Sequence, residues 1–139
     1  MPSARILIVE DERQTVDTLR DLFEQHGYET EVALNKQVAL TILQERKMDL
    51  LILSTTVQEN LGIEILQEIR KMSPSLPAIM ISDQKSKRVE SSSAKAGANI
   101  FIVKPFDDEL ILHTVENLLE SRFDIPVSKK TKTYPKGKK

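Results

Sequence analysis

The chain has 139 residues, 40% of them hydrophobic and 29% charged, with a net charge of −1. That length suits one domain able to bury a real core. No cysteine is present, which excludes disulfides, thiol catalysis and cysteine-ligated metals. The only histidines, His26 and His113, lie far apart and make no ligand-like pair, so a zinc site is not expected.

The N-terminus Met1-Pro2-Ser3-Ala4-Arg5 has no signal-peptide layout and leads into the apolar run of residues 4–9, a strand covered on both faces. Residues 13–26 put Val16, Leu19 and Phe23 on one helical stripe, and Gly27 stands where a helix C-terminus favours glycine. Residues 28–34 read as a more polar strand whose alternating Glu29 and Glu31 suit a sheet edge. Residues 36–47 read as a helix with Asn35 as N-cap and Val38, Ala39, Ile42 and Leu43 at core spacing.

The run at 49–53 is a central strand, followed by a loop over 54–61. A helix over 62–72 turns Ile63, Leu66 and Ile69 inward, and Pro74 and Pro77 bracket the way to a strand at 78–81. Residues 84–96 read as a weak helix ending at Gly97, since Ser91-Ser92-Ser93 disfavours it and few apolar residues support it. The last strand is 99–103. The last helix is 107–121, capped by Asp107 or Asp108 and packing Leu110, Ile111, Val115, Leu118 and Leu119.

From Arg122 onward seven basic residues face one acid, Asp124, about +6, which leaves about −7 on the body. With Pro126, Pro135 and Gly137 and no apolar period, residues 122–139 are expected to be a flexible basic tail or linker stub after a domain at 1–121. No apolar stretch reaches the roughly 20 residues of a membrane span, and a cytoplasmic location is expected.

Five strand–helix units predict an α/β fold, a doubly wound five-stranded parallel sheet in the order 2-1-3-4-5, flavodoxin-like. Such sheets bind ligands at the carboxyl ends of their strands. Glu10-Asp11-Glu12, Ser54, Ser82 and Lys104 all fall at that edge. Taken alone, the acidic cluster is also what a helix N-terminus favours, and Lys104 is also a plain surface lysine. Their meeting at one edge favours a pocket, and Lys104–Pro105 is a candidate cis peptide.

The run Ile6-Leu7-Ile8-Val9-Glu10-Asp11-Glu12, the gap to Ser54, Gly62 eight residues later, Ser82, and Phe101-Ile102-Val103-Lys104-Pro105-Phe106 resemble the CheY-like receiver domain of two-component response regulators. The resemblance covers about residues 4–121. It implies that Glu10 and Asp11 match an acidic pair that holds Mg²⁺, Lys104 the lysine that neutralises a phosphoryl group, Ser82 the hydroxyl that bonds it, and Phe101 the switching aromatic. Ser54 stands where the resemblance places a phosphoacceptor aspartate, and Gln58 where it places a proline.

Serine does an aspartate's work badly. A carboxylate is ionised at neutral pH, whereas a serine hydroxyl needs a neighbouring base, and neither histidine is near. Mg²⁺ favours oxygen anions, so the metal site is expected to be weakened or vestigial, with no cofactor required. Lys104 is then expected to face Glu10 and Asp11. Asp49 lies about 16 Å back along the strand, so Asp83 is the better substitute carboxylate.

The expected function is a pseudo-receiver in phosphorelay signal transduction, not an enzyme, acting through protein contacts on the 84–121 face. The alternative keeps phospho-control at Asp83 or Ser54. Partners would be a signalling protein, a histidine kinase or an output domain. Sequence-specific nucleic-acid binding by the tail is not expected, and the motifs of a phosphatase or flavin protein of similar fold are absent.

Overall fold

The computed structural model describes residues 4–121 and 132–134. Its elements are β1 (Arg5–Val9), α1 (Arg13–Gln25), β2 (Glu29–Ala33), α2 (Lys36–Glu45), β3 (Leu50–Ser54), α3 (Gly62–Met72), β4 (Ala78–Ser82), α4 (Lys87–Ala96), β5 (Ile100–Val103), α5 (Asp108–Ser121) and β6 (Lys132–Tyr134). The first five strands pair in parallel in the order 2-1-3-4-5, as their polarity indicates. Central β3 and β4 are buried along their whole length, while β2 keeps Glu29 exposed at its edge.

Strand alternation divides the core into two layers. Ile6, Ile8, Leu50, Ile52, Ile79, Ile81, Ile100 and Ile102 meet Leu19 and Phe23 of α1 and Ile111 and Val115 of α5. Leu7, Val9, Leu51, Leu53, Met80, Phe101 and Val103 meet α2, α3 and α4 on the opposite face.

The helix signals act as their chemistry requires. Asn35 accepts from the Val38 N–H at 2.9 Å, and Ser86 accepts from the Val89 N–H at 3.2 Å, so α4 starts at Lys87 and not at residue 84. Gly27 and Gly97 take positive φ, 88° and 113°, just beyond the helices they end. Asp107 accepts from the Glu109 N–H at 3.0 Å ahead of α5. In α3, Ile65 takes the fully buried place expected of Ile63, and in α5, Leu112 packs on the core beside Ile111. Both shifts follow from the helix phase, which a short apolar stripe leaves open by one position.

The sheet does not stop at five strands. Lys132–Tyr134 adds a sixth, parallel to β5, with Ile100 opposite Lys132 and Ile102 opposite Tyr134. This corrects the expectation of a wholly flexible tail at those three residues. The rest of the tail lies outside the described residues. Sequence periodicity missed β6 because three residues are too few to show a period.

Gly62 positions the carboxyl end of β3. A Cβ built there would meet the Ser54 carbonyl oxygen and stand 2.6 Å from the Thr55 Cα, so α3 approaches the strand end closely only because the residue is glycine. The neighbouring atoms are backbone and cannot swing away. Gly62→Ala is expected to cost about 1–3 kcal/mol, read as a lower urea midpoint with an unchanged slope.

Candidate functional site

The carboxyl ends of β1, β4 and β5 converge on one ammonium group. Lys104 Nζ lies 3.2 Å from Glu10 Oε2, 3.0 Å from Glu12 Oε1 and 3.2 Å from Asp83 Oδ1, and it donates to Thr15 Oγ1 at 3.2 Å. Glu10 is fully buried, and its other oxygen accepts from the backbone N–H groups of Asp11 and Glu12 at 3.0 and 3.3 Å. Every oxygen of this buried carboxylate therefore has a donor, as burial of a charge demands. The Lys104–Pro105 peptide is cis.

The protonation states follow from these contacts. Burial alone would push the Lys104 ammonium down. The hydrogen bond with Glu12, the charge of Glu10 and the bonds to Asp83 and Glu10 outweigh it and hold its pKa above the ordinary value. Glu12 is held below the ordinary carboxylate value, first by the 2.6 Å bond from the Thr15 hydroxyl and then by Lys104.

Sequence reasoning paired Lys104 with Glu10 and Asp11. The structure brings Lys104 to Glu10 but replaces Asp11 by Glu12 and Asp83. Asp11 is exposed and turned toward the β3–α3 connection, where its Oδ2 accepts from the Gln58 N–H at 2.9 Å. The reason is local: Glu12 is the residue just before α1, and its bond to Thr15 one turn later aims it at the lysine. A cap-like Glu-x-x-Thr spacing was the available signal.

Ser54 is fully buried but lies outside the ammonium's bonds. Its hydroxyl pairs with Thr56 Oγ1 at 3.0 Å and accepts from the Thr56 N–H at 3.2 Å. Ser82 accepts from Thr55 Oγ1 at 3.2 Å and donates to the Gln84 carbonyl at 3.1 Å. Phe101 is buried in the layer under α2, α3 and α4. The register separates Ser82 from the lysine but not Ser54, which is kept apart by its own bonds to Thr56. Ser54 stands opposite Ile81, which stands opposite Ile102, so Lys104, two residues after Ile102, shares a sheet face with Ser54. Ser82, one residue after Ile81, belongs to the other face. Beside it a groove of about 460 Å³ runs between Thr55, Thr56, Ser82 and Arg88.

The connection after Thr56 takes an uncommon path. Gln58, Glu59 and Asn60 have φ of 50°, 58° and 75°, three consecutive left-handed residues. Each costs about 1–2 kcal/mol for a residue with a Cβ. Two bonds offset this cost. The Gln58 N–H reaches Asp11, and the Gln58 Oε1 accepts from the Lys36 N–H at 2.6 Å. A proline could make neither bond and could not reach this φ.

The donor set does not fit a divalent cation as arranged. Mg²⁺ prefers several oxygen anions in octahedral geometry. Glu10 is already matched to Lys104, Asp11 is engaged by Gln58, and Ser54 supplies a neutral hydroxyl. Among the described residues no group of three or more acidic or histidine side chains is placed to hold a metal.

A sequence profile described as the response regulator receiver domain matches residues 6–116. The transcriptional regulatory protein ZraR of Klebsiella oxytoca is 32% identical over 118 residues, covering 84% of this chain and 27% of that protein. The response regulator MprA of Mycobacterium bovis (strain BCG / Pasteur 1173P2) is 29% identical over 117 residues, covering 84% of this chain and 51% of that protein. The chain thus spans between about a quarter and a half of the relatives it matches. Among solved structures, a CheY-like receiver domain protein of Methanospirillum hungatei JF-1 superposes with a TM-score of 0.83 at 26% identity, covering 88% of this chain and 98% of the other. The receiver domain of NtrX from Brucella abortus gives 0.79 at 33% identity, covering 84% and 98%.

The ion network carries a pH signature. Glu12 has a lowered pKa in the fold, so its contribution is present above the ordinary value of 4.5 and lost as pH falls through the lowered one. Lys104 has a raised pKa, so its contribution is full below 10.5 and lost as pH rises through the raised one. Lys104→Met strands the buried Glu10 carboxylate and is expected to cost about 2–4 kcal/mol at neutral pH. In urea titrations across pH, the gap between wild type and Lys104→Met should narrow at both ends. A pH-independent gap would show that the lysine acts only by packing.

Proposed function

The chain belongs to the receiver-domain family of response regulators, and from that premise we propose that it is a signalling module that takes no aspartyl phosphate and works through protein contacts on the face made by residues 84–121. The observation that carries this reading is the state of Ser54. It is a buried neutral hydroxyl bonded to Thr56, and no ionised oxygen takes its place beside Lys104 from β3. A serine hydroxyl without a base is a poor nucleophile, and the nearest bonded group here is another hydroxyl. Lys104, which would neutralise an incoming phosphoryl group, is already shared among three carboxylates.

The contact face includes α4, whose stability is low for identifiable reasons. Val89 is only partly buried, and the fully buried Ser93 hydroxyl has no hydrogen-bond partner among the described residues. An unsatisfied buried hydroxyl costs about 1–3 kcal/mol. Elements that change on binding come from the low-stability end of a fold. A histidine kinase, an output domain or another signalling protein is the class of partner this reading assigns. It assigns no catalytic turnover, no required cofactor and a cytoplasmic location. No helix among the described residues is long and apolar enough to cross a membrane.

A second reading has one observation in its favour. Asp83 is half exposed and lies 3.2 Å from Lys104, so it is a reachable carboxylate beside the cation that a phosphoryl group needs. Ser54, fully buried, is the poorer substitute.

Incubation with a small-molecule phosphodonor and Mg²⁺, followed by intact mass and peptide mapping, separates the readings. Wild type is expected to stay unmodified. Ser54→Asp is expected to gain a base-labile phosphoryl group, with shifts in the amide resonances of α4 and β5. A stoichiometric base-labile adduct at Asp83 of the wild type would establish the second reading instead.

A further inference from the structure

Positive charge in this acidic body gathers on one helix. Between Lys85 and Lys95 stand four basic residues, Lys85, Lys87, Arg88 and Lys95, and one acid, Glu90. That stretch is about +3 within a body of about −7. All four basic residues are exposed. In α4, Lys87, Ser91 and Lys95 follow at a spacing of four, and Arg88 stands three residues before Ser91. Residues so spaced are neighbours on a helix surface, so the cations form one stripe. At about 1.5 Å per residue it runs for roughly 12 Å.

Other cations of the body serve the fold. Arg5, Arg13, Arg20 and Arg46 each meet a carboxylate, and Arg70 donates to the backbone carbonyls of Ser73, Leu76 and Gly97. Lys85, Lys87, Arg88 and Lys95 make no ion pair among the described residues. Lys87 and Arg88 also occupy the first turn of α4, where the helix dipole favours anions and disfavours cations. A groove borders the stripe. It holds about 460 Å³ between α3 and α4, with Ile63 and Val89 as half-buried apolar walls and Thr56 and Asn60 as polar ones. Among the described residues Arg88 is the one cation lining it, and the Asp83 carboxylate that also lines it is already held by Lys104 at 3.2 Å.

We propose that α4 docks an acidic segment of a partner protein, whose carboxylates lie along Lys87, Arg88 and Lys95 and one of whose apolar side chains enters the groove between Ile63 and Val89. The inference rests on the reading that the chain signals through contacts on residues 84–121, and it names the chemistry of the partner. Opposite charge across such a face speeds encounter and rejects partners of the wrong sign. Nucleic acid fits less well. Proteins that bind it present a basic domain, whereas this chain has a pI of about 6.2. α5 carries Asp108, Glu109, Glu116 and Glu120 and no lysine or arginine, so a long polyanion would meet repulsion beyond the stripe.

The test is an NMR titration of the full, unphosphorylated chain with a synthetic peptide rich in Asp and Glu around one central leucine. A peptide of about eight residues, at about 3.3 Å each, spans the stripe. Amide shifts are expected in residues 87–95 and at Thr56, Asn60 and Ile63, and not in α1 or β2. Salt at about 0.5 M should weaken binding, since exposed charges are screened. Lys87→Glu with Arg88→Glu should weaken it at least roughly 10-fold, because two attractions become repulsions. The same changes suit the first turn of α4, so the urea midpoint should hold or rise. Lys87→Gln with Arg88→Gln, which adds no repulsion, should weaken binding by less. A fallen midpoint in the Glu variant would show that the stripe serves the fold and would overturn the proposal. So would the absence of α4 shifts at peptide concentrations on the order of millimolar, or shifts that charge reversal leaves unchanged. An equal response to a lysine-rich peptide, or α4 shifts from a DNA duplex at lower concentration than from the peptide, would overturn it too. Peptide shifts on β5 and α5 instead of α4 would end this inference and leave the contact reading in place. A phosphoryl adduct on the wild type would end that reading without altering the α4 titration.

Discussion

One ion pair organises the carboxyl edge of this sheet, that between the Lys104 ammonium and the buried Glu10 carboxylate. A carboxylate removed from water is costly unless an opposite charge and hydrogen-bond donors meet it. Here the ammonium meets one oxygen and two backbone N–H groups meet the other. Glu10 follows β1 and Lys104 follows β5, with β3 and β4 between them in the sheet. The pair therefore closes the top of the sheet across four strands. Glu12 and Asp83 join it from the solvent side and hold the lysine protonated.

Around this pair the polar groups sort into two sets by charge. The ionised groups gather at Lys104, and the hydroxyls pair with one another, Ser54 with Thr56 and Ser82 with Thr55. A carboxylate at position 54 would share a face with Lys104 and compete for its charge. The serine has no such claim and settles into a local bond two residues on. With a neutral group at position 54, the lysine is satisfied by Glu10, Glu12 and Asp83. The ammonium is already shared among three carboxylates, and the signalling role proposed here is accordingly one of contact and not of chemistry.

The backbone path at Gln58 fits the same logic. Its left-handed backbone is retained because its N–H holds Asp11 and its side chain holds the start of α2. A carboxylate that would otherwise stand free near Glu10 is tied to a neutral donor on the adjacent connection. Serine at 54 and glutamine at 58 act together. One leaves the end of β3 uncharged, and the other engages the Asp11 carboxylate.

Much of this was legible in the chain itself. Continuous apolar runs located the strands, the glutamates of β2 identified an edge, and Asn35, Gly27 and Gly97 marked helix ends, because each reflects local backbone chemistry. The meeting of Glu10 with Lys104 was also legible, since strand order brings the ends of β1 and β5 to one edge. The choice of Glu12 and Asp83 over Asp11 was decided only in three dimensions. All are acids of similar reach, and which one finds the lysine depends on the Thr15 hydroxyl and the path of the Gln58 turn. The sixth strand was decided there as well: Lys-Thr-Tyr has no pattern of its own and becomes a strand only where β5 offers it an unpaired edge.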